Sequence, residues 1–209
     1  MLSHRFSPVI FALLALTLVV DCNRSQGDKE RESKSVDQAS VLAESDMASN
    51  QAAEEEMRLA ALEGDGEKVK RFLDTGINVN ALDQEGHTAL MLAAYNGHTD
   101  IVLSLITKDA VIDRRDLNGR TALLYASTGP FPETVKALLD KGAEPNVVDS
   151  DEHFSPLMHA AAEGNLDVVK LLMEYGADHS LTDVDGDNAE FFARQAGHEQ
   201  VAGYLQSVQ

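Results

Sequence analysis

Thr88, Thr121, Ser155 and Asn188 follow one another at steps of 33, 34 and 33 residues, and each opens the same short pattern. Residues 86–97 read GHTALMLAAYNG, 119–129 read GRTALLYASTG, 154–164 read FSPLMHAAAEG and 186–197 read GDNAEFFARQAG. The frame extends one unit upstream, because Gly64, Gly76, Asn80 and Asp83 stand 33 residues before Gly97, Asp109, Asp113 and Asp116. Self-similarity at this period restricts the chain to a solenoid, in which each unit buries its apolar face only against its neighbours. A solenoid offers a long binding surface before it offers a catalytic cleft.

Each unit carries the parts of a helix–turn–helix. A Thr or Ser ahead of the apolar run suits the N-cap of a first helix. Small residues such as Ala93-Ala94 and Ala160-Ala161 let adjacent helices approach closely. Gly64, Gly97, Gly164 and Gly197 fit a turn between helices where φ is positive. Second helices are marked by aliphatic residues at helical spacing: Val102, Leu105 and Ile106, then Val135, Leu138 and Leu139, then Val168, Leu171 and Leu172. With these features the chain resembles the ankyrin-repeat family, the fullest copy being SPLMHAAAEGNLDVVKLLMEYGADHS within residues 149–183. The resemblance implies an all-α repeat solenoid of about five units, each a helix–turn–helix with a β-hairpin loop. The units are placed at about 51–82, 83–115, 116–148, 149–182 and 183–209.

The N-terminus follows another logic. One Arg and one His precede an apolar run from Pro8 to Val20, which as a helix would span about 20 Å and so fall short of a bilayer. Residues 1–21 therefore read as a signal peptide. Cys22, the single cysteine, follows directly and resembles the acceptor of a bacterial lipoprotein anchor, although Asp21 stands where a small residue is usual. A thiol merely close to the membrane surface is the other reading. Residues 22–50, rich in Ser, Asp, Glu and Lys and without an aromatic, read as a flexible polar linker, with weak helical periodicity over Val36–Met47 as the other reading. In this combination the chain resembles small exported bacterial ankyrin-repeat proteins, and the expected location is periplasmic, with a lipid anchor at Cys22. One cysteine allows no internal disulfide.

Net charge is −18, and removing residues 1–21 takes away one Arg and one Asp, leaving it unchanged. Such a surface repels phosphate, so nucleic acid is not an expected partner, and the membrane is reached only through the signal or lipid anchor. A basic protein partner fits, on an otherwise monomeric chain.

In the resembled family, partners are bound by the hairpin tips and the inner face of the first helices. On this chain those positions include Glu85, His87, Tyr95, Asn96, Arg115, Leu117, Arg120, Asp151, Glu152, His153, Phe154 and Asp185. The tip VVDSDEHFS carries one extra residue and lacks the Gly of the other tips, so Phe154 is expected to project there as an anchor or to fold against Leu117 or Val148. In TGPFPET, Pro130 replaces the inter-helix Gly, Pro132 suits the first position of a helix, and Phe131 is expected to face outward in a stiffened loop. Glu190, four residues before Arg194, replaces a core Leu and fits an ion-paired terminal cap.

No catalytic, cofactor-binding or metal-binding residue is assigned. The seven histidines lack zinc-ligand spacing, and Asp183, Asp185 and Asp187 lack the later Glu of a calcium loop. The expected function is non-enzymatic: binding of another protein, as an envelope scaffold or as an immunity or inhibitor protein. The alternative is an accessory or stress-protective factor for a periplasmic enzyme such as a catalase or lipase.

Overall fold

The computed structural model describes residues 38–208. The signal segment, Cys22 and the first part of the linker lie outside them. Ten helices follow in pairs: α1 (Gln38–Glu63) with α2 (Gly66–Asp74), α3 (Ala89–Tyr95) with α4 (Thr99–Ile106), α5 (Ala122–Ser127) with α6 (Pro132–Asp140), α7 (Pro156–Ala162) with α8 (Leu166–Glu174), and α9 (Ala189–Gln195) with α10 (Glu199–Ser207). The first helices pack in one row, α1 on α3, α3 on α5, α5 on α7 and α7 on α9. The second helices form the other row. Among the described residues, no helix is long and apolar enough to cross a membrane.

Two expectations change. The first helix begins at Gln38, inside the stretch read as linker. Residues 38–63 contain neither Gly nor Pro and are rich in Ala and Glu, both good helix formers. The hairpin loops, in turn, are tight turns: among the described residues the only β-pairing is an isolated bridge, Thr182 with Asn188.

Local chemistry sets each unit. Thr88, Thr121, Ser155 and Asn188 have extended backbones, and their side chains accept from the N–H of Met91, Leu124, Met158 and Phe191. In two units the box closes through sulfur, since the N–H of Thr88 and of Ser155 points at the Sδ of Met91 and Met158, each at 3.4 Å. Most of the predicted side chains lie between the rows: Ala93, Ala94, Ala160 and Ala161 are fully buried, as are Val102, Leu105, Val135, Leu138 and Leu172, while Ile106 and Leu171 are half-buried. Ser127 takes an Ala position at no exposure and satisfies its hydroxyl on the Leu123 carbonyl at 2.8 Å.

The inter-helix turns interlock. Gly97 has φ +71, and a Cβ there would lie 2.3 Å from the Phe131 ring. Gly64 and Gly164 lie in the same way beneath His98 and His198. His98 also bonds the Leu62 carbonyl through Nε2 at 3.1 Å. Phe131 is therefore half-buried, not outward: it fills the histidine position of its unit and covers the preceding turn. Pro132 begins α6 as expected.

A further link ties each second-helix turn to the next. Asn80 donates to the Asp109 carbonyl at 3.1 Å and accepts from the Val111 N–H at 2.8 Å; Asn146 does the same with Gly176 and Asp178 at 3.1 and 2.8 Å. Asp113, midway between them in the frame, only accepts, from the Glu144 N–H at 3.2 Å, because a carboxylate has no proton to give the Gly142 carbonyl.

Two stability measurements follow. Gly176→Ala, at φ +85 with nothing within 4 Å of the new Cβ, should cost about 1–2 kcal/mol from the left-handed backbone alone. Gly97→Ala should cost a further ~1–3 kcal/mol from the Phe131 clash, and equal costs in urea unfolding would show that Phe131 does not hold the turn. Asp113→Asn should stabilise by about 0.5–1 kcal/mol by completing the second hydrogen bond; an unchanged urea midpoint would remove that role.

Candidate functional site

The tips that open the second to fifth units, each numbered by its unit, share one device. Asp83 Oδ1 accepts from the N–H groups of Glu85 and His87 at 3.0 and 2.7 Å. Asp116 does so with Asn118 and Arg120, both at 2.8 Å, and Asp183 with Asp185 and Asp187 at 3.0 and 2.8 Å. Asp149 reaches one residue further along the chain, to Glu152 and Phe154 at 3.2 and 3.1 Å. That shift absorbs the extra residue. His153, at φ 60, takes the left-handed position held by Gly86, Gly119 and Gly186 in the other tips. Adjacent tips are then joined by single backbone bonds: Leu117 N–H to the Glu85 carbonyl, Ser150 to Asn118 and Val184 to Glu152, at 3.1, 2.8 and 3.1 Å.

Beside the tips runs a strip of rings. In two units the residue before the cap lies by the residue four after it, Phe154 by His159 and Arg120 by Tyr125. Tyr95 meets Tyr125 edge-on with centroids 6.0 Å apart, and Tyr125 meets His87 at 5.8 Å. Phe154 contacts His159 at 5.3 Å and Phe192 at 4.8 Å, and Phe192 contacts Phe191 at 5.6 Å. Between the two groups Arg120 sits 3.6 Å from the buried Asp149 carboxylate. Five of the nine Phe and Tyr residues among those described lie here, so the scarce aromatic content is concentrated on one face.

The expected binding residues divide into two sets. Glu85, Tyr95, Asn96, Arg115, Leu117, Asp151, Glu152, His153 and Asp185 are exposed, Leu117 at 75 % and Tyr95 at 43 %. Asn96 also holds the Leu62 carbonyl at 2.7 Å, and Arg115 holds that of Val148 at 3.3 Å. His87, Arg120 and Phe154 are half-buried. Phe154 neither projects nor folds onto Leu117 or Val148, because Phe192 of the following unit offers its ring a larger apolar partner. The positions four after the cap, Tyr125 and Phe192, belong to this face and were not among those expected. Each lies three residues, about one helical turn, before the inner-face position of its own unit, Thr128 and Gln195, so the helical period alone points to them.

His87 anchors a polar chain through the strip. Its Nδ1 is 2.9 Å from Asp83 Oδ2 and its Nε2 is 3.1 Å from the Tyr125 hydroxyl, which donates to the buried Asp116 at 2.6 Å. Burial, then the bond to Asp116, drives the Tyr125 phenol well above its ordinary value, so it stays a donor. Asp83, Glu85 and His87 offer ligand atoms within 4.8 Å of one another. Both His87 nitrogens already face partners, however, so the arrangement reads as a structural network. At the other end of the strip, burial and then the positive charge of Arg120 lower the His159 imidazole to about 4. The terminal pair is formed as predicted, with Arg194 Nε donating to Glu190 at 2.9 Å.

His159 makes stability pH-dependent. Its folded value lies below the unfolded value of about 6.5, so the unfolded chain binds more protons and stability falls as pH drops from about 6.5 toward 4. Urea unfolding across that range should show the loss, and His159→Leu should flatten it; parallel curves for the two proteins would contradict the assignment.

Comparison with known proteins completes the site's context. The family model of ankyrin repeats, in three copies, matches residues 57–149 and again 129–208. The human cyclin-dependent kinase 4 inhibitor B is 39% identical over 67 residues, 32% of this chain and 49% of that protein. The human ARF GTPase-activating protein GIT1 is 39% identical over 71 residues, 34% of this chain and 9% of that protein. The Notch-regulated ankyrin repeat-containing protein of Xenopus tropicalis is 43% identical over 49 residues, 23% of this chain and 43% of that protein. The chain thus spans half or less of the length of these relatives. The matched units and the tip and turn geometry agree: this chain belongs to the ankyrin-repeat family.

Proposed function

We propose that the protein binds another protein across the face made by its tips and first helices, and that it does so outside the cytoplasm as an envelope scaffold or an inhibitor. Ankyrin repeats are protein-interaction units. The observation that carries the reading is the pairing of a rigid ring-lined strip with an exposed apolar tip residue, Leu117, on that face. A preformed surface loses little conformational entropy on binding, and exposed aromatic and aliphatic groups ringed by charge are the usual anatomy of an interface.

Inhibition is favoured over a purely architectural role by one relative, whose name is that of a kinase inhibitor. A repeat surface can block an enzyme simply by covering it. Export rests on the sequence features of residues 1–21, and Cys22 is the lipid acceptor in this reading. An accessory role beside a periplasmic enzyme would use the same face.

A photo-crosslinking amino acid placed at Leu117 in intact cells should capture a protein, whereas one at Glu133 on α6 should capture little. Fractionation of the same cells should find the chain in the envelope, with a lipid-modified peptide beginning at Cys22. Adducts from Glu133 alone would overturn the binding face, and an unmodified, cytoplasmic chain would overturn export.

A further inference from the structure

The tips differ in charge. Asp151, Glu152 and Asp185 are exposed on the fourth and fifth, with Asp183 and Asp187 half-buried beside them. The Val184 N–H bond to the Glu152 carbonyl holds these two acidic tips side by side. Partial burial first, and then the neighbouring Asp183 and Asp185, hold the Asp187 carboxyl above the ordinary carboxylate range. A cation docked there would relieve the repulsion. The rings of the strip lie directly alongside, and those at its ends, Tyr95 and Phe191, are 43 % and 40 % exposed.

From this juxtaposition we infer that the strip receives an extended, arginine-bearing segment of the partner protein, its guanidinium groups set between the ring faces and the carboxylates of the fourth and fifth tips and its apolar side chains on Tyr95 and Leu117. The inference rests on the protein-binding reading above and adds the chemistry of what is bound. Charge complementarity selects a cation, since a net charge of −18 repels acidic segments. Guanidinium fits better than ammonium because it is planar. It stacks on an aromatic face and still presents paired N–H donors to a carboxylate in its own plane. Apolar contacts are required as well, because the strip continues from the acidic tips to Tyr95, beyond the reach of a single charged side chain. Arg120, the cation within the strip, does not oppose this, since Asp149 beside it balances its charge.

Panning a random-peptide library against the full chain tests the inference. Selected peptides should be enriched in Arg together with aliphatic residues, and replacing their Arg by Lys should weaken binding. Tyr95→Ala, which removes an apolar contact, and the pair Glu152→Gln with Asp185→Asn, which removes two charges, should each weaken capture about tenfold, the size expected of a central interface side chain. The pair Glu133→Gln with Glu174→Gln removes the same charge from the second-helix side and should leave capture unchanged. Peptides that are acidic or uncharged, a failure to select any, or equal weakening by both charge-removing pairs would overturn the proposal. In that case a crosslink from Leu117 would still leave the protein-binding reading in place, whereas loss of both would remove the two together.

Discussion

Everything in this molecule depends on the close approach of one unit to the next. A pair of helices six to nine residues long buries too little to hold itself together, and the apolar side chains of each pair are covered by the pairs beside it. The approach is set by small side chains, Ala93, Ala94, Ala126, Ala160, Ala161 and Ala193, all without exposure. It is kept in register by polar links that each join one unit to the next. Asn80 and Asn146 clamp the second-helix turns, rings cover the inter-helix glycines, and single backbone bonds run from tip to tip.

The tips show how a binding surface is built without a sheet. One aspartate per unit folds the turn by accepting two backbone N–H groups, so the loop conformation depends on that carboxylate and leaves the outer side chains free. The extra residue of the fourth tip tests this device, and it holds: Asp149 reaches one residue further and His153 adopts the conformation that glycine has elsewhere. The acidic group of the fourth and fifth tips and the ring-lined strip are therefore held by the same backbone links. Rigidity matters here, because a surface already ordered spends less of its interaction energy on ordering when it binds.

Much of this was legible before any coordinates. The caps, the glycine turns, the alanine pairs and the Pro132 start follow from local rules that act over a few residues, and each is found where the sequence places it. Three side chains escaped those rules. Phe131 was read as outward because nothing local shows that it lies over Gly97, a residue of the preceding unit. For Phe154 the local pattern offers projection or a fold onto Leu117 or Val148, because its partner, Phe192, belongs to the unit after it. Tyr125 was passed over because its importance lies in joining His87 to Asp116 across two units.

The sequence by itself determined the repeat, the helix pairs and the acidic charge, since the period and the caps are local and the charge is a sum. Only the tertiary structure decided which of the candidate side chains remain available. Half-burial of His87, Arg120 and Phe154, and exposure of Leu117 and Tyr95, depend on contacts between residues some 30 to 40 positions apart in different units. A pattern read along one unit carries no information about the side chains of the next that will cover it, and that covering turned a row of candidate positions into a strip of rings beside a cluster of carboxylates.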